Sequence, residues 1–286
     1  MNPTDLCEAL RGADGRARRK LLQAVPPSAD AAMLAEVAQH LGDPLPEVCE
    51  AAVDALARAE NETAAQLAAQ GLCAADPAER GYALEALVCL GTAALPILER
   101  LLQDQDQHLR KYALDALARI RHPGSLPLLC AALEDVDPNV AAAAAEALGA
   151  LALPDAVPAL GSALRRGPDW VRLAALAGLG AIGDEDALHL ICSVPQVLGR
   201  GLSPLVHMMA IQMAWCAAGA DPLAAFAFLK EQLRAADPAV QDIARSALVD
   251  LPPGSNLSGW VDGLAGASQD PDVAEFALAL RRKPTP

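Results

Sequence analysis

Residues 139–164 read NVAAAAAEALGALALPDAVPALGSAL, and five consecutive alanines stand near their start. Alanine is the strongest helix former, but its methyl group adds little to a hydrophobic core. A helix of this composition is useful where a neighbouring helix must approach its backbone closely. We therefore interpret residues 141–145 as a site of tight helix packing with a smooth outer face, and not as a binding site.

The alanine stretch belongs to a pattern that recurs along the whole chain. The segments DPAERGYALEAL from Asp76, DQHLRKYALDAL from Asp106, DPNVAAAAAEAL from Asp137 and DPAVQDIARSAL from Asp237 share one register. The same register fits segments that start at Leu45, Pro168 and Ser203, with weaker copies at Asp14 and Asp270. The steps between starts are 31, 31, 30, 31, 31, 35, 34 and 33 residues. Such a period predicts a tandem array of nine structural units.

Each unit contains two predicted helices. The stronger helix follows the start residue, where Asp can cap the free backbone N–H groups and Pro can occupy the first turn. Counting the start as zero, apolar residues recur at +3, +7, +11 and +14, which is one face of a helix. We expect glycines to end three of these helices, at Gly91, Gly149 and Gly183. The weaker helix follows, with a proline in its first turn at Pro96, Pro127 and Pro158.

These repeats resemble the HEAT repeat family over residues 3–283, in particular the bacterial HEAT-like repeats of the phycobilin-lyase type. The resemblance implies an all-α fold, an α-solenoid built as a right-handed superhelix of about nine helix pairs. It implies a single solenoid domain over residues 1–286, with an irregular unit near 193–204 and a divergent C-terminal part from about residue 200. In the family, an Asp and a basic residue form a ladder between repeats. The matching pairs here are Asp14/Arg18, Asp76/Arg80, Asp106/Arg110 and, shifted, Asp169/Arg172, whereas Ala141 and His207 interrupt the ladder.

Charge and cysteine content narrow the function classes. With 36 acidic and 22 basic residues, the formal net charge is −14. This balance disfavours a general nucleic-acid binder or docking on an anionic membrane, because both need clustered Lys and Arg. The seven cysteines form no C-x-x-C pair and predict free thiols in a reducing compartment. The start, MNPTDLCEAL, shows no basic region followed by an apolar run, so we expect no secretion signal, and we expect no apolar run long and continuous enough to span a bilayer. We expect a cytoplasmic protein of a bacterial type.

Catalytic signatures are absent from the sequence. It has no H-E-x-x-H, phosphate loop, G-x-S-x-G or G-x-G-x-x-G motif. It also lacks the His-Glu dipeptides that HEAT-type di-iron hydroxylases need. The five histidines are spread over four of the repeats, and we expect none of them, His189 included, to have a carboxylate or cysteine partner at metal-ligand spacing within its own helix. The sequence thus predicts a non-enzymatic protein-binding scaffold or adaptor without a metal or cofactor.

The candidate binding residues come from the face opposite the core. Position +9 points about 150° away from the core direction, at about 100° per residue. It is occupied by acids in four successive units: Asp54, Glu85, Asp115 and Glu146. The HEAT resemblance places this face in a concave groove, flanked by Tyr82 and Tyr112 at +6. The sequence thus predicts a negative stripe for a basic helix or peptide, although solvated helix faces are often acidic without such a role.

A second candidate surface lies in the divergent end. Met208, Met209 and Trp215 are adaptable or aromatic residues of the kind enriched at binding surfaces, or they mark a different packing solution. Two other functions stay open at this level. One is a phycobilin-lyase-like enzyme or chaperone acting on a chromophore protein. The other is a DNA-binding HEAT protein of the alkylated-base glycosylase kind, which the negative charge disfavours.

Overall fold

The computed structural model describes residues 3–249, and all regular elements in this range are helical. The α-helices in chain order are α1 (Pro3–Gly12), α2 (Gly15–Gln23), α3 (Ala31–Gln39), α4 (Pro46–Ala59), α5 (Glu62–Gly71), α6 (Pro77–Leu90), α7 (Leu95–Leu101), α8 (Gln107–Ile120), α9 (Leu126–Ala132), α10 (Pro138–Leu151), α11 (Val157–Arg166), α12 (Asp169–Ile182), α13 (Glu185–Cys192), α14 (Val194–Leu198), α15 (Pro204–Cys216), α16 (Pro222–Gln232) and α17 (Pro238–Val249). The predicted all-α fold is confirmed.

The predicted starts of the repeats are confirmed wherever the structure describes them. Each of the eight starts from Asp14 to Asp237 is followed at the next residue by a helix, whereas Asp270 lies outside the described residues. The cause is local capping. The carboxylates of Asp76 and Asp137, for example, accept backbone N–H groups two residues later, at 2.9 and 2.8 Å. The weaker helices α7, α9 and α11 carry proline in their first turns, as predicted.

The helices form two compact units, which divide after Ala132. In unit 1, the strong helices α2, α4, α6 and α8 pack side by side, and α3, α5 and α7 form a second row against them. In unit 2, the rows are α10, α12, α15 and α17 against α11, α13 and α16. Between the rows lie the apolar positions of the register: the +11 leucines are completely buried in five consecutive strong helices, at Leu56, Leu87, Leu117, Leu148 and Leu179.

The alanine helix α10 packs tightly, as the sequence predicts. Ala144 and Ala145 are completely buried, and Ala141 is 4% exposed. However, the prediction that Gly149 ends this helix is wrong. Gly149 lies inside α10 and is buried at the crossing with α12, and the helix instead ends at Leu151. Gly91 and Gly183 do end their helices, with φ of 57° and 64°, the left-handed region that glycine adopts without strain.

One stretch of unit 1 contradicts the prediction that no apolar run could span a bilayer. Pro77–Leu101 is long and apolar enough, by length and composition, to cross a membrane. In the structure it is not one continuous α-helix, because α6 ends at Leu90, Gly91 turns the chain, and α7 begins at Leu95. Some of its apolar side chains, among them Leu87 and Leu98, are core residues of unit 1.

Candidate partner-binding face

Three of the four predicted acids lie together on unit 1. Asp54 on α4, Glu85 on α6 and Asp115 on α8 are exposed or half-exposed. The Arg119 side chain donates a hydrogen bond to Glu85, which raises the pKa of Arg119, and the charges of Glu85 and Asp115 raise it further. Burial is the main cause of the raised pKa of the Cys89 thiol, to which Glu85 and Asp54 add. The three carboxylates therefore lie near Cys89 and Arg119. We call the surface formed by these five residues the acidic face.

Arg119 corrects the prediction of an uninterrupted negative stripe. It neutralises Glu85, so that three carboxylates and one guanidinium leave two negative charges on the acidic face. Asp54 and Asp115 form no salt bridge with any residue in the described range 3–249. The fourth predicted acid, Glu146, is exposed on α10 and belongs to unit 2.

The two predicted tyrosines contact the preceding strong helix. The hydroxyl of Tyr112 accepts a hydrogen bond from Nε of Arg80, on α6, at 3.1 Å. Tyr82 lies near Cys49 and Glu50 of α4, and its pKa is raised first by burial and then by these two groups. Both rings are half-buried. They therefore connect successive repeats, and the Tyr112 hydroxyl is already engaged within the chain.

The inter-repeat ladder differs from the predicted pairs at its first step. Asp14 caps its own helix by accepting the Ala17 N–H at 2.8 Å. Arg18 instead reaches the loop before the next strong helix, where its Nε lies 3.0 Å from the Asp43 carboxylate. The side chain of Asp43 is only 4% exposed, so this ion pair is largely shielded from solvent.

Arginines at position +4 also close the loop in front of their own helix. Arg80 donates to the carbonyls of Ala74 and Ala75 at 2.7 and 2.9 Å. Arg110 donates to the equivalent carbonyls of Asp104 and Gln105 at 2.8 and 3.1 Å. In unit 2, Arg172 pairs with Asp169 at 3.2 Å, which confirms the shifted pair, and also donates to the Gly201 carbonyl of the next repeat at 3.2 Å.

Pockets lie at the two repeat junctions of unit 2 where the sequence analysis found the ladder interrupted. Beside Ala141 is an opening of about 180 Å³ that Glu134, Asp135 and Arg166 also line. Beside His207 is a wider one of about 530 Å³, lined also by Glu231, Arg234 and Asp237. His207 Nε2 lies 2.7 Å from Oε1 of the buried Gln232 on α16. Replacing the +4 arginine by a shorter side chain thus leaves space between repeats.

In the described part of the divergent end, which stops at residue 249, one of the three predicted binding residues is buried. Trp215 is 7% exposed, so its ring is part of the core of unit 2 and is not available to a partner. This corrects the prediction, because its register position on α15 faces the neighbouring helices. Met208 and Met209 are half-buried on the same helix. The helix α14 and the turn Gly199–Gly201 lie at the predicted irregularity before α15.

Unit 2 contains one cluster of metal-ligating side chains that was not predicted from the sequence. Glu185 and His189, one helical turn apart on α13, meet Asp221 at the start of α16. One potential ligand atom from each residue lies within 4.8 Å of the other two. The prediction that no histidine has a carboxylate partner at metal-ligand spacing within its own helix is therefore wrong for His189, whose partner on α13 is Glu185. The Glu185–His189 spacing of four residues was a visible signal, whereas Asp221 is 32 residues further on and reads as a helix cap.

The fold and the stacked two-row units define an α-solenoid of helical repeats. HEAT repeats match residues 68–136 and 126–194, so this part of the chain consists of HEAT repeats. It is similar to a chain in a homology model of the full-length AP-3 complex, with a TM-score of 0.50 and 16% identity over 93% of this chain and 54% of that chain. No curated protein has significant sequence similarity to it.

Two further structures are similar over shorter or weaker alignments. One is a chain from a structure of Kap95p with RanGDP, with a TM-score of 0.49 and 16% identity over 97% of this chain and 44% of that chain. The other is a chain from the CpcE–CpcF complex of phycocyanin lyase from Nostoc sp. PCC7120, with a TM-score of 0.41 and 24% identity over 64% of this chain and 97% of that chain. The chain thus spans about half the length of the AP-3 chain and less than half of the Kap95p one.

Proposed function

We propose that this protein is a non-enzymatic scaffold that holds a basic segment of a partner protein against the acidic face of unit 1. The observation that carries the proposal is the convergence of Asp54, Glu85 and Asp115 from three successive repeats on one exposed surface. HEAT-repeat solenoids are typical of protein-interaction scaffolds, since stacked repeats create extended binding surfaces.

Five of the seven cysteines favour a role in binding over one in covalent catalysis. A catalytic cysteine needs a lowered pKa, so that the thiolate forms near neutral pH. Burial instead raises the pKa of Cys49, Cys89, Cys130, Cys192 and Cys216. Cys89, although it lies within the acidic face, is further disfavoured as a thiolate by Glu85 and Asp54. These five thiols are therefore protonated at neutral pH and are poor nucleophiles.

The size of the acidic face sets the size of the segment that it can hold. Neighbouring packed helices lie about 8–10 Å apart, so Asp54 and Asp115, two steps apart on α4 and α8, are separated by roughly 20 Å. A helix covers this distance with about 13 residues. Lys or Arg on one face of such a helix would meet Asp54 and Asp115, which have no salt-bridge partner of their own among the described residues. We exclude Glu146, in unit 2, from this proposal.

Charge attraction of this kind acts mainly on the rate of association. Exposed charge pairs contribute only about 0–1 kcal/mol each. Their combined field steers a partner of opposite charge, and salt screens it over about 10 Å at 0.1 M ionic strength. The proposal therefore requires binding that weakens as the salt concentration rises.

The test uses a synthetic helical peptide of about 14 residues with lysines on one face, labelled for fluorescence anisotropy. Asp54→Asn with Asp115→Asn should slow its association severalfold at low salt. The matched control, Glu8→Gln with Glu99→Gln, removes the same charge from exposed positions on α1 and α7 and should have little effect. If both double variants slowed association equally, the effect would come from the overall charge of the protein, and the acidic face would be refuted as a binding site. A native partner captured from cells should show the same difference between the two variants.

A further inference from the structure

We infer that Glu185, His189 and Asp221 form a binding site for a divalent transition-metal ion of the zinc type. The site lies in unit 2 and is independent of the acidic face. It combines one imidazole nitrogen with carboxylate oxygens from two residues. Zinc accepts this mixture of ligands, whereas Mg²⁺ and Ca²⁺ prefer oxygen ligands alone.

The backbone fixes two of the three ligands. Glu185 and His189 are four residues apart on α13, so their side chains project from the same face of the helix. Asp221 precedes α16, and its Oδ1 accepts the N–H groups of Leu223 and Ala224, each at 3.0 Å. Because these bonds hold one carboxylate oxygen, the other, Oδ2, is held 3.8 Å from Nε2 of His189.

The distances permit coordination after a small movement. Zinc bonds of about 2.0–2.2 Å in a tetrahedral arrangement separate ligand atoms by roughly 3.4 Å. The His189–Asp221 separation of 3.8 Å is close to this value, and the three ligand atoms all lie within 4.8 Å of one another. Glu185 and His189 are exposed, so their side chains can close the remaining gap. Three protein ligands leave a fourth position open to water.

Cys192 is the neighbouring group that must be distinguished from the ligands. It lies three residues after His189, and burial together with the Asp221 charge raises its pKa to about 12. A zinc ion would have to displace the thiol proton, which the raised pKa opposes, and the Cys192 sulfur is not among the ligand atoms that lie within 4.8 Å of one another. The structure thus assigns the ion to the three exposed or half-exposed side chains.

Bound metal would connect α13 to the start of α16, the weaker helices of two consecutive repeats. An ion that binds the folded chain and not the unfolded one stabilises the fold. Two independent readouts therefore follow, metal affinity and thermal stability, and neither depends on knowing a partner protein.

The experiment is calorimetric titration of the full chain, stripped of metal with EDTA and dialysed, with ZnCl₂ and separately with MgCl₂. We expect one zinc ion per chain and no Mg²⁺ binding. His189→Ala and Asp221→Asn should each weaken zinc binding by about tenfold or more, the loss seen even for groups that only support a ligand. Asparagine still caps a helix, so Asp221→Asn should stay folded by circular dichroism.

The controls separate this site from adventitious binding. His108→Ala removes another exposed histidine, on α8, and Cys192→Ser removes the nearby thiol. Both should keep the wild-type affinity, and zinc should raise the melting temperature of both but not of His189→Ala. Unchanged affinity in His189→Ala, or an equal loss in His108→Ala, would overturn the site. A loss in Cys192→Ser as large as that in His189→Ala would overturn the assignment of the three ligands.

Discussion

A Cβ atom on Gly149 would lie 2.7 Å from the Cα atom of Gly178, so helices α10 and α12 pass each other at backbone distance. One turn earlier along α10, the carbonyl oxygen of Ala145 lies 2.9 Å from where a Gly178 Cβ would stand. Two helices can approach this closely only where small residues meet. This crossing accounts for the alanine-rich stretch, because larger side chains on α10 would force α12 away.

Gly178→Ala should therefore destabilise the protein, even though alanine is the better helix former. The added methyl would meet backbone atoms of α10, and such overpacking costs about 1–3 kcal/mol. Gly81→Ala is the matched control, since Gly81 is also within a helix and a Cβ there meets nothing within 4 Å. It should stabilise by about 0.5–1 kcal/mol. Urea unfolding measures both, and changes of the same sign would show that the crossing does not limit packing.

A second pair of substitutions tests the faces of α10. Ala144 is completely buried, so Ala144→Leu should cost about 1–3 kcal/mol through overpacking. Ala142 is half-buried on the same helix, and a lysine there can extend its charged end into solvent. Ala142→Lys should therefore change the free energy of unfolding by no more than about 0.5 kcal/mol. If the two substitutions cost the same, the assignment of the buried face is wrong.

The Arg18–Asp43 ion pair should contribute more to stability than an exposed pair. Arg18→Met would leave the Asp43 carboxylate shielded and without its arginine. The cost should be about 2–3 kcal/mol, less than for a fully buried pair, because His40 and the Leu45 N–H still contact Asp43. The comparison is Arg100→Met. Arg100 and Glu62 are each 60% exposed, so breaking their pair should cost less than about 1 kcal/mol. Similar unfolding midpoints for the two variants would contradict a special role for Arg18.

Restoring the missing arginine at position +4 should fill the smaller pocket of unit 2. In Ala141→Arg, the guanidinium would reach the carbonyls of Asp135 and Val136, the positions that Arg110 bonds in its own repeat. We expect a stabilisation of about 0.5–1.5 kcal/mol, the net contribution of a hydrogen bond. Ala143→Arg, at a half-buried position of the same helix, should give no gain. Equal unfolding midpoints for the wild type and Ala141→Arg would show that the pocket is not an arginine site.

The sequence predicted the features that depend on local chemistry. The starts of the helices followed from Asp and Pro, because a cap needs only the residues beside it. The same reasoning failed at Gly149, since a glycine that ends a helix and one that allows a close crossing look alike until the neighbouring helix is known. Arg119 was missed for a related reason. It meets Glu85 only because two repeats stack, and a separation of 34 positions in the sequence carries no sign of that contact.

In the candidate sites, too, local features could be predicted from the sequence, whereas contacts between repeats could not. Position +9 correctly placed Asp54, Glu85 and Asp115 on one outer face, because the helical period is local. Residue type alone suggested Trp215 as a binding residue, whereas the packing around α15 buries its ring. Asp221 was read as a helix cap, which it is, and its second oxygen faces His189 only in the folded chain.

Alkaline pH should reveal the burial of Cys192. Burial and the Asp221 charge raise its pKa from an ordinary 9.0 to about 12. In the unfolded chain the thiol loses its proton near pH 9, whereas in the folded chain it keeps it. The stability that depends on the protonated thiol is therefore fully present below pH 9, and it is lost as the pH rises from 9 towards 12. By pH 10.5 the free energy of unfolding should have fallen by about 2 kcal/mol.

Cys192→Ser removes the titrating group and should flatten this part of the stability profile. We expect the wild type to lose about 2 kcal/mol more than the variant between pH 8 and pH 10.5. Urea unfolding at intervals of half a pH unit, in EDTA to exclude bound metal, measures the difference. The other thiols with raised pKa are present in both proteins, so their contributions cancel. Parallel profiles over the whole interval would mean that the Cys192 thiol titrates in the folded chain as it does in the unfolded one.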